Sequence, residues 1–317
     1  MASKNRNPGW LPLLLVAGGG IAVVVAAIWA YAHAVPPLHP DPAQVPSVAQ
    51  SQSALPQWTG AVDKGRQIAR AGLSAQNLPG LSVAVGVGGE IVWAEGFGWA
   101  DIEKKVPVTP GVRFRIGHAS KALTSAAVGL LGDRGRLDLD AEIQAYVPEF
   151  PRKPWPVTVR QLMGHLAGLR HYQGEEADIP SGHCERASDG LRPWVNDPLL
   201  FEPGTASRYS TYGWILVSAA VEAAAGEPFF AFMRTEIFTP LGMTGTTADS
   251  SPDSAGNQAT FYFPRFSGDN DFGHDVARPV DYSCFSGAGG FLSTPSDLVR
   301  FGLAMNEDFW TKLPPDL

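Results

Sequence analysis

Cysteine is nearly absent: 317 residues contain two, Cys184 and Cys284. That excludes a small scaffold stapled by many disulfides. Although His183 adjoins Cys184, no C-x2-C or H-x3-H spacing occurs, so no metal site is expected. The two thiols can pair only if the fold brings their Cα atoms to about 4.4–6.8 Å, and the sequence leaves that open. Charge is sparse too, at 17% of residues with a net of -7. The arginines stand singly rather than in clusters, which leaves no basic face for nucleic acid. No internal repeat occurs, and no cofactor is implied. What is plentiful is glycine (35) and proline (27) on a 44% hydrophobic background. That composition belongs to a globular chain with many turns, not to a disordered one.

The N-terminus points to a compartment. Residues 1–9 carry Lys4 and Arg6 and no acid; residues 10–31 are 22 positions without a charge. About 20 such residues span a bilayer as a helix, with the basic flank remaining in the cytoplasm. Ala32-His33-Ala34 also has the small-x-small pattern of a signal-peptidase site. Residues 10–34 are therefore expected to be a transmembrane signal-anchor or a cleaved signal peptide, and either places the remainder on the exported side, in a bacterial periplasm or at a cell surface. Residues 35–58, thick with Pro, Ser and Gln, read as a linker. A single domain then occupies residues 59–317.

Within that domain, residues 62–71 have helical spacing of apolar positions. Residues 81–87 and 91–98 are runs of β-formers joined by Gly88-Gly89, a hairpin by its turn chemistry. Residues 119–131 are apolar almost all round, so they predict a helix buried on every side. Further helices are expected over 157–165, over 211–225 with Gly226 as its stop, over 228–237 before Pro240, and over 296–305 with Thr294 or Ser296 as cap. Trp214 and Phe291 are expected in the core. A hairpin followed by a helical middle implies an α+β fold, an antiparallel sheet flanked by helices with a mainly helical second region.

The stretch Phe114-Arg115-Ile116-Gly117-His118-Ala119-Ser120-Lys121 resembles the first motif of the serine β-lactamases and penicillin-binding proteins, where serine and lysine stand three apart at the start of a buried helix. Residues at i and i+3 share a helix face, and burial lowers a lysine pKa so that its amine can take a proton. Tyr209-Ser210-Thr211 resembles the second motif in its Tyr-Ser-Thr variant. Pro79-Gly80-Leu81, Gly164-His165-Leu166-Ala167-Gly168-Leu169 and Gly289-Gly290-Phe291-Leu292-Ser293-Thr294 also match. The wording is most similar to the mitochondrial-type β-lactamase-like serine proteases, through Tyr146-Val147-Pro148-Glu149-Phe150-Pro151 and the His165 to Tyr172 stretch. The resemblance implies a β-lactamase/DD-peptidase-like fold and acyl transfer on peptide, peptidoglycan-like or ester substrates. It assigns Lys121 and Tyr209 to proton transfer, and Thr211 and Gly289 to substrate binding.

Two departures qualify that expectation. Where the family has its nucleophilic serine this chain has His118. Ser120 cannot replace it, because it lies about 100° round the helix and reads as a packing or helix-start residue. The family's third motif, Lys-Thr-Gly or His-x-Gly, does not follow in residues 301–317, so the sheet strands of that region are expected to be missing and the hairpin to keep an apolar face and an open edge. His118 is then a degenerate position in a domain that no longer acylates, a group serving some other reaction, or an erroneous or engineered residue. The functional readings are an impaired serine hydrolase, a membrane-anchored binding module without catalysis, or a gene fragment. The expected partners are a small-molecule or peptide-like substrate and, through residues 10–31, a membrane. His165 and His171, six apart, share no helical face and read as core or loop histidines.

Overall fold

A computed structural model describes residues 19–29, 35–50, 56–174, 182–249, 257–266 and 269–305. Helix α1 (Gly19–Trp29) is short and apolar. The remainder of the 10–31 stretch lies outside the described residues. Among the described residues no single helix is long and apolar enough to cross a membrane.

The first sheet is built around the expected hairpin, β2 (Gly80–Val87) and β3 (Glu90–Asp101). Gly88 and Gly89 turn it with φ of 61° and 88°, the left-handed backbone that a two-residue hairpin loop needs and that glycine adopts without a Cβ penalty. Strand β1 (Ser47–Ala49) pairs antiparallel with the other edge of β3, and β4 (Val106–Pro107) with its end, giving the order β1-β3-β2. Helix α2 (Thr59–Ala75) covers one face, packing Ala69 and Leu73 with Phe97, Leu81, Val83 and Trp93.

Two expectations are corrected here. The Pro-rich stretch is not only a spacer. It contributes β1, buries Val45 at 3% exposure, and sets His39 against the Pro79 carbonyl at 3.1 Å while Ser74 Oγ donates to the His39 carbonyl. Nor is the second face of the hairpin left bare, because Gly86 lies against Val299 and Leu303 of the helix Pro295–Ala304. Among the described residues, the outer edge of β2 pairs with no strand.

The larger core is helical. After β5 (Phe114–Arg115) and a 3-10 turn at Gly117–Ala119, α3 (Ser120–Asp133) runs through the molecule with Leu123, Ala127, Val128 and Leu131 buried. The short α4 (Val159–Met163) opens on a capping box in which Thr158 and Gln161 satisfy each other's backbone, which starts the helix two residues after Val157. Helix α5 (Thr211–Ala225) is buried from Thr211 to Val221 without a break, capped by Ser210 and closed by Gly226. The expected helix from 228 is divided: α6 (Phe229–Phe232) passes into a π-type turn, Met233–Phe238. Thr235 Oγ1 donates to the carbonyls of Ala231 and Phe232 there, a side-chain claim on the helical carbonyls that loosens the regular ladder.

A second sheet, β5-β9-β6, unites Phe114–Arg115 with β9 (Phe291–Ser293) and β6 (Thr247–Ala248). A separate hairpin joins β7 (Tyr262–Phe266) to β8 (Asp269–Val276). Helix α7 (Pro295–Ala304) is capped by Thr294. Trp214 and Phe291 are buried as expected.

Candidate active site

The site forms where the N-termini of the two buried helices α3 and α5 meet. His118 sits exposed on the 3-10 turn ahead of α3, and Lys121 lies in the first turn of α3 at 8% exposure. Turn and helix run on continuously, so the i, i+3 relation holds. Tyr209, 44% exposed, stands just before the Ser210 cap, whose Oγ accepts from the Gly213 N–H and donates to the Arg170 carbonyl.

Four side chains make a chain of hydrogen bonds. Lys121 Nζ donates to Tyr209 Oη at 2.5 Å, and Tyr209 Oη lies 2.8 Å from His118 Nδ1. His118 Nε2 lies 3.2 Å from Thr211 Oγ1. Since the ammonium can only donate, the phenol accepts from it; in the tautomer with its proton on Nε2, toward Thr211, His118 accepts the phenol hydrogen at Nδ1. The amine also rests 4.2 Å from the Tyr209 ring centroid. Burial pulls the Lys121 pKa down to about 8, and among the described residues no carboxylate pairs with it. Burial, then the charge of Lys121, lowers the pKa of His118. Both imidazole nitrogens of His118 are thus occupied.

Ser120 has no access to a substrate. It is 0% exposed, and its Oγ finds no hydrogen-bond partner among the described residues. Gly289 lies beside Gly117: a Cβ built on it would stand 3.9 Å from the Gly117 carbonyl carbon. The structure therefore brings His118, Lys121, Tyr209 and Thr211 into one hydrogen-bonded group and sets Gly289 next to the turn that carries His118.

Two site residues escaped the sequence reading. His165 Nδ1 accepts the Ser210 N–H and His171 Nδ1 the Thr211 N–H, each at 3.2 Å. Their rings flank Tyr209, with centroids at 4.5 and 5.2 Å. His165 holds a φ of 58°, and its carbonyl accepts from Arg208, so both sides of Tyr209 are tied to one strained residue. An imidazole that accepts at Nδ1 must be neutral. Burial, followed by the charge of Lys121, lowers both pKa values and favours that state. Nothing local in the sequence announces this brace, whose bonds reach 40 and 45 residues along the chain.

The wall behind the brace is covalently fixed. Cys184 and Cys284 form a disulfide with Cα atoms 5.0 Å apart, settling the pairing that the sequence left open. Beside it His183 Nδ1 meets Asp281 Oδ2 at 2.8 Å. Phe285 then touches Tyr172, which lies against His171.

A buried lysine bonded to an exposed tyrosine at the mouths of two helices fits acyl-transfer proton chemistry, and a family model for Beta-lactamase matches residues 66–312. The chain belongs to the β-lactamase family. It is 32% identical over 320 residues to the mouse (Mus musculus) serine beta-lactamase-like protein LACTB, mitochondrial, covering 77% of this chain and 57% of that protein. Among solved structures, the octameric penicillin-binding protein homologue from Pyrococcus abyssi superposes with a TM-score of 0.65 at 23% identity, over 76% of this chain and 55% of that one. The D-amino acid amidase from Ochrobactrum anthropi does so at 0.63 and 28% identity, over 74% and 67%. The chain spans little more than half the length of the LACTB relative. The α+β architecture read from the sequence is that of this family.

Proposed function

We propose that this β-lactamase-family domain binds acyl ligands, meaning peptide, peptidoglycan-like or ester groups, without forming the serine acyl-enzyme of its relatives. One observation carries the reading: His118, which the motif resemblance aligns with the family's nucleophile, has both ring nitrogens engaged by Tyr209 and Thr211. The nearest hydroxyl in sequence, Ser120, is sealed in the interior. Nucleophile and base act as a unit, so losing the first removes most of the rate that the second supports. Tyr209 and Gly289 offer the accessible part of a binding site, with Lys121 and Thr211 buried beside them. The same proposal sets the domain on the exported side of a membrane, held by the apolar N-terminal stretch that includes α1, with Lys4 and Arg6 on the cytoplasmic side.

Mass spectrometry after incubation with a β-lactam, an activated ester and a fluorophosphonate tests the chemistry. No added mass on His118 or Ser120 is expected, together with a rise in melting temperature when a ligand binds without covalent change. A stable adduct on either residue would show a working acyl-enzyme and overturn the reading. Fractionation of the full chain tests the anchor, which fails if the intact, uncleaved protein is recovered free of membranes.

A further inference from the structure

We propose that Lys121 is itself a nucleophile, an amine that captures small aldehydes as reversible imines while Tyr209 and His118 carry its proton. The argument starts from what the amine touches. Its hydrogen bond ends on Tyr209 Oη, and Tyr209 Oη faces an acceptor, His118 Nδ1, at 2.8 Å. Thr211 Oγ1 lies 3.2 Å from the other ring nitrogen and can accept its hydrogen in the tautomer that leaves Nδ1 bare. An ammonium proton can therefore pass to the phenol oxygen as the phenol proton passes to His118, leaving a neutral amine and an imidazolium. A serine at position 118 could not serve as that acceptor; a histidine can.

The surroundings also disfavour a charged amine. Among the described residues, the charged and titratable groups around the brace are Lys121, Arg208 and the histidines themselves; Arg170 bonds Asp197 and lies over Tyr212. Among the described residues no carboxylate holds the ammonium in its charged form. With a pKa of about 8, roughly a fifth of the amine is uncharged near pH 7.4, against about one part in a thousand for an ordinary lysine. Desolvated lysines of this kind form Schiff bases with carbonyl compounds. Lys121 is 8% exposed, while Tyr209, which receives its hydrogen bond, and His118 beside it are exposed at the surface.

The step balances as follows. The free amine attacks the aldehyde carbon, forming the C–N bond, and the carbonyl oxygen takes up a proton to give a carbinolamine. The imidazolium of His118 returns its proton through Tyr209, the hydroxyl departs as water, and a protonated imine remains. Ammonium and aldehyde have become iminium and water, with one positive charge on each side. No oxidant or reductant takes part.

Reductive trapping with butanal and cyanoborohydride at pH 7.4, followed by peptide mapping of the full chain, tests the proposal with internal controls. Lys64 and Lys104 are exposed lysines. Lys153 is half-buried with its pKa lowered by burial, but its hydrogen bonds end on the Val195 and Asp197 carbonyls, which do not take up a proton. Lys121 is expected to be alkylated about tenfold faster than all three, and His118→Ala to slow Lys121 about tenfold while leaving Lys64 unchanged. Equal rates at Lys121 and Lys64, or a Lys121 rate that His118→Ala leaves unchanged, would overturn the proposal. The outcome is separable from the loss of acyl-enzyme chemistry, since an ester adduct on His118 refutes that reading and an aldehyde-derived adduct on Lys121 bears only on this one.

Discussion

Burying Lys121 costs the fold stability, and the cost has a pH signature. Moving the amine from its ordinary 10.5 to about 8, at about 1.4 kcal/mol per pH unit, disfavours the charged folded state by about 3 kcal/mol. Solvent reaching the amine past the 44% exposed Tyr209 trims this to about 2 kcal/mol. Lys121→Met keeps a flexible side chain of similar volume and removes the charge, so it is expected to stabilise the domain by about 2 kcal/mol at pH 7. The sign follows from proton counting. Between about 8 and 10.5 the unfolded chain holds more protons on this amine than the folded one, so wild-type stability rises with pH across that window. Below 8 both states are charged and the full cost applies; above 10.5 both are neutral and it vanishes. Denaturant unfolding at pH 7 and pH 10.5, with the disulfide intact, measures the difference. If Lys121→Met is no more stable than wild type at pH 7, or if its advantage is the same at both pH values, the bond to Tyr209 compensates the burial and the reasoning fails.

The brace and three packing features give further expectations. Acidification should dismantle the brace: its neutral-state stability is complete above the unfolded histidine value of about 6.5 and is lost as pH falls through the lowered folded values, which 15N chemical shifts of the His165 and His171 rings would follow. Both should be Nε2–H tautomers at neutral pH, and Nδ1–H at either refutes it. Arg115 bonds Asp249, whose side chain is 3% exposed, at 2.5 Å and links β5 to the end of β6; Arg115→Met should cost about 3–5 kcal/mol in thermal or denaturant unfolding by stranding a buried carboxylate. A Cβ on Gly287 would overlap Thr124 Oγ1 and press on Phe229 and Ser218, so Gly287→Ala should lose about 1–3 kcal/mol in the same assay. Cys284→Ser opens a covalent loop of sequence separation 100 and should cost about 2–5 kcal/mol in a melt.

Much of the helical half was legible in the sequence, for reasons visible in single residues. Helix α5 begins and ends where expected because a side-chain cap, an uninterrupted apolar run and a left-handed Gly226 all mark the same limits. The Gly88-Gly89 turn likewise set the hairpin. The second sheet was not legible: β5, β6 and β9 are two or three residues long, too short for an alternating pattern to register. The Pro-rich stretch misled because composition reports only an average. Leu38, His39 and Val45 lock it down through Asn77, Pro79 and the small core under α2, contacts set by residues about 40 positions away. In the site, spacing along one helix was enough to join His118 with Lys121. It could not show His165 and His171, which act through the main chain of Ser210 and Thr211 and share no periodicity with them.

The strand β1 changes what the N-terminal stretch is for. Its bonds to β3 run from the Gly98 N–H to the Pro46 carbonyl and from the Gln50 N–H to the Ala94 carbonyl, on either side of the Ser47–Ala49 register. A pull on the chain just ahead of β1 therefore meets the sheet directly. It arrives at the sheet along β1 and is resisted by these rungs together, the geometry in which antiparallel strands must slide past one another before they part. Trimming the protein at Trp58, the end of the Pro-rich composition, would remove an edge strand and bare the side of β3 that it guards. A shortened form that retains the domain's own boundary has to begin before Leu38.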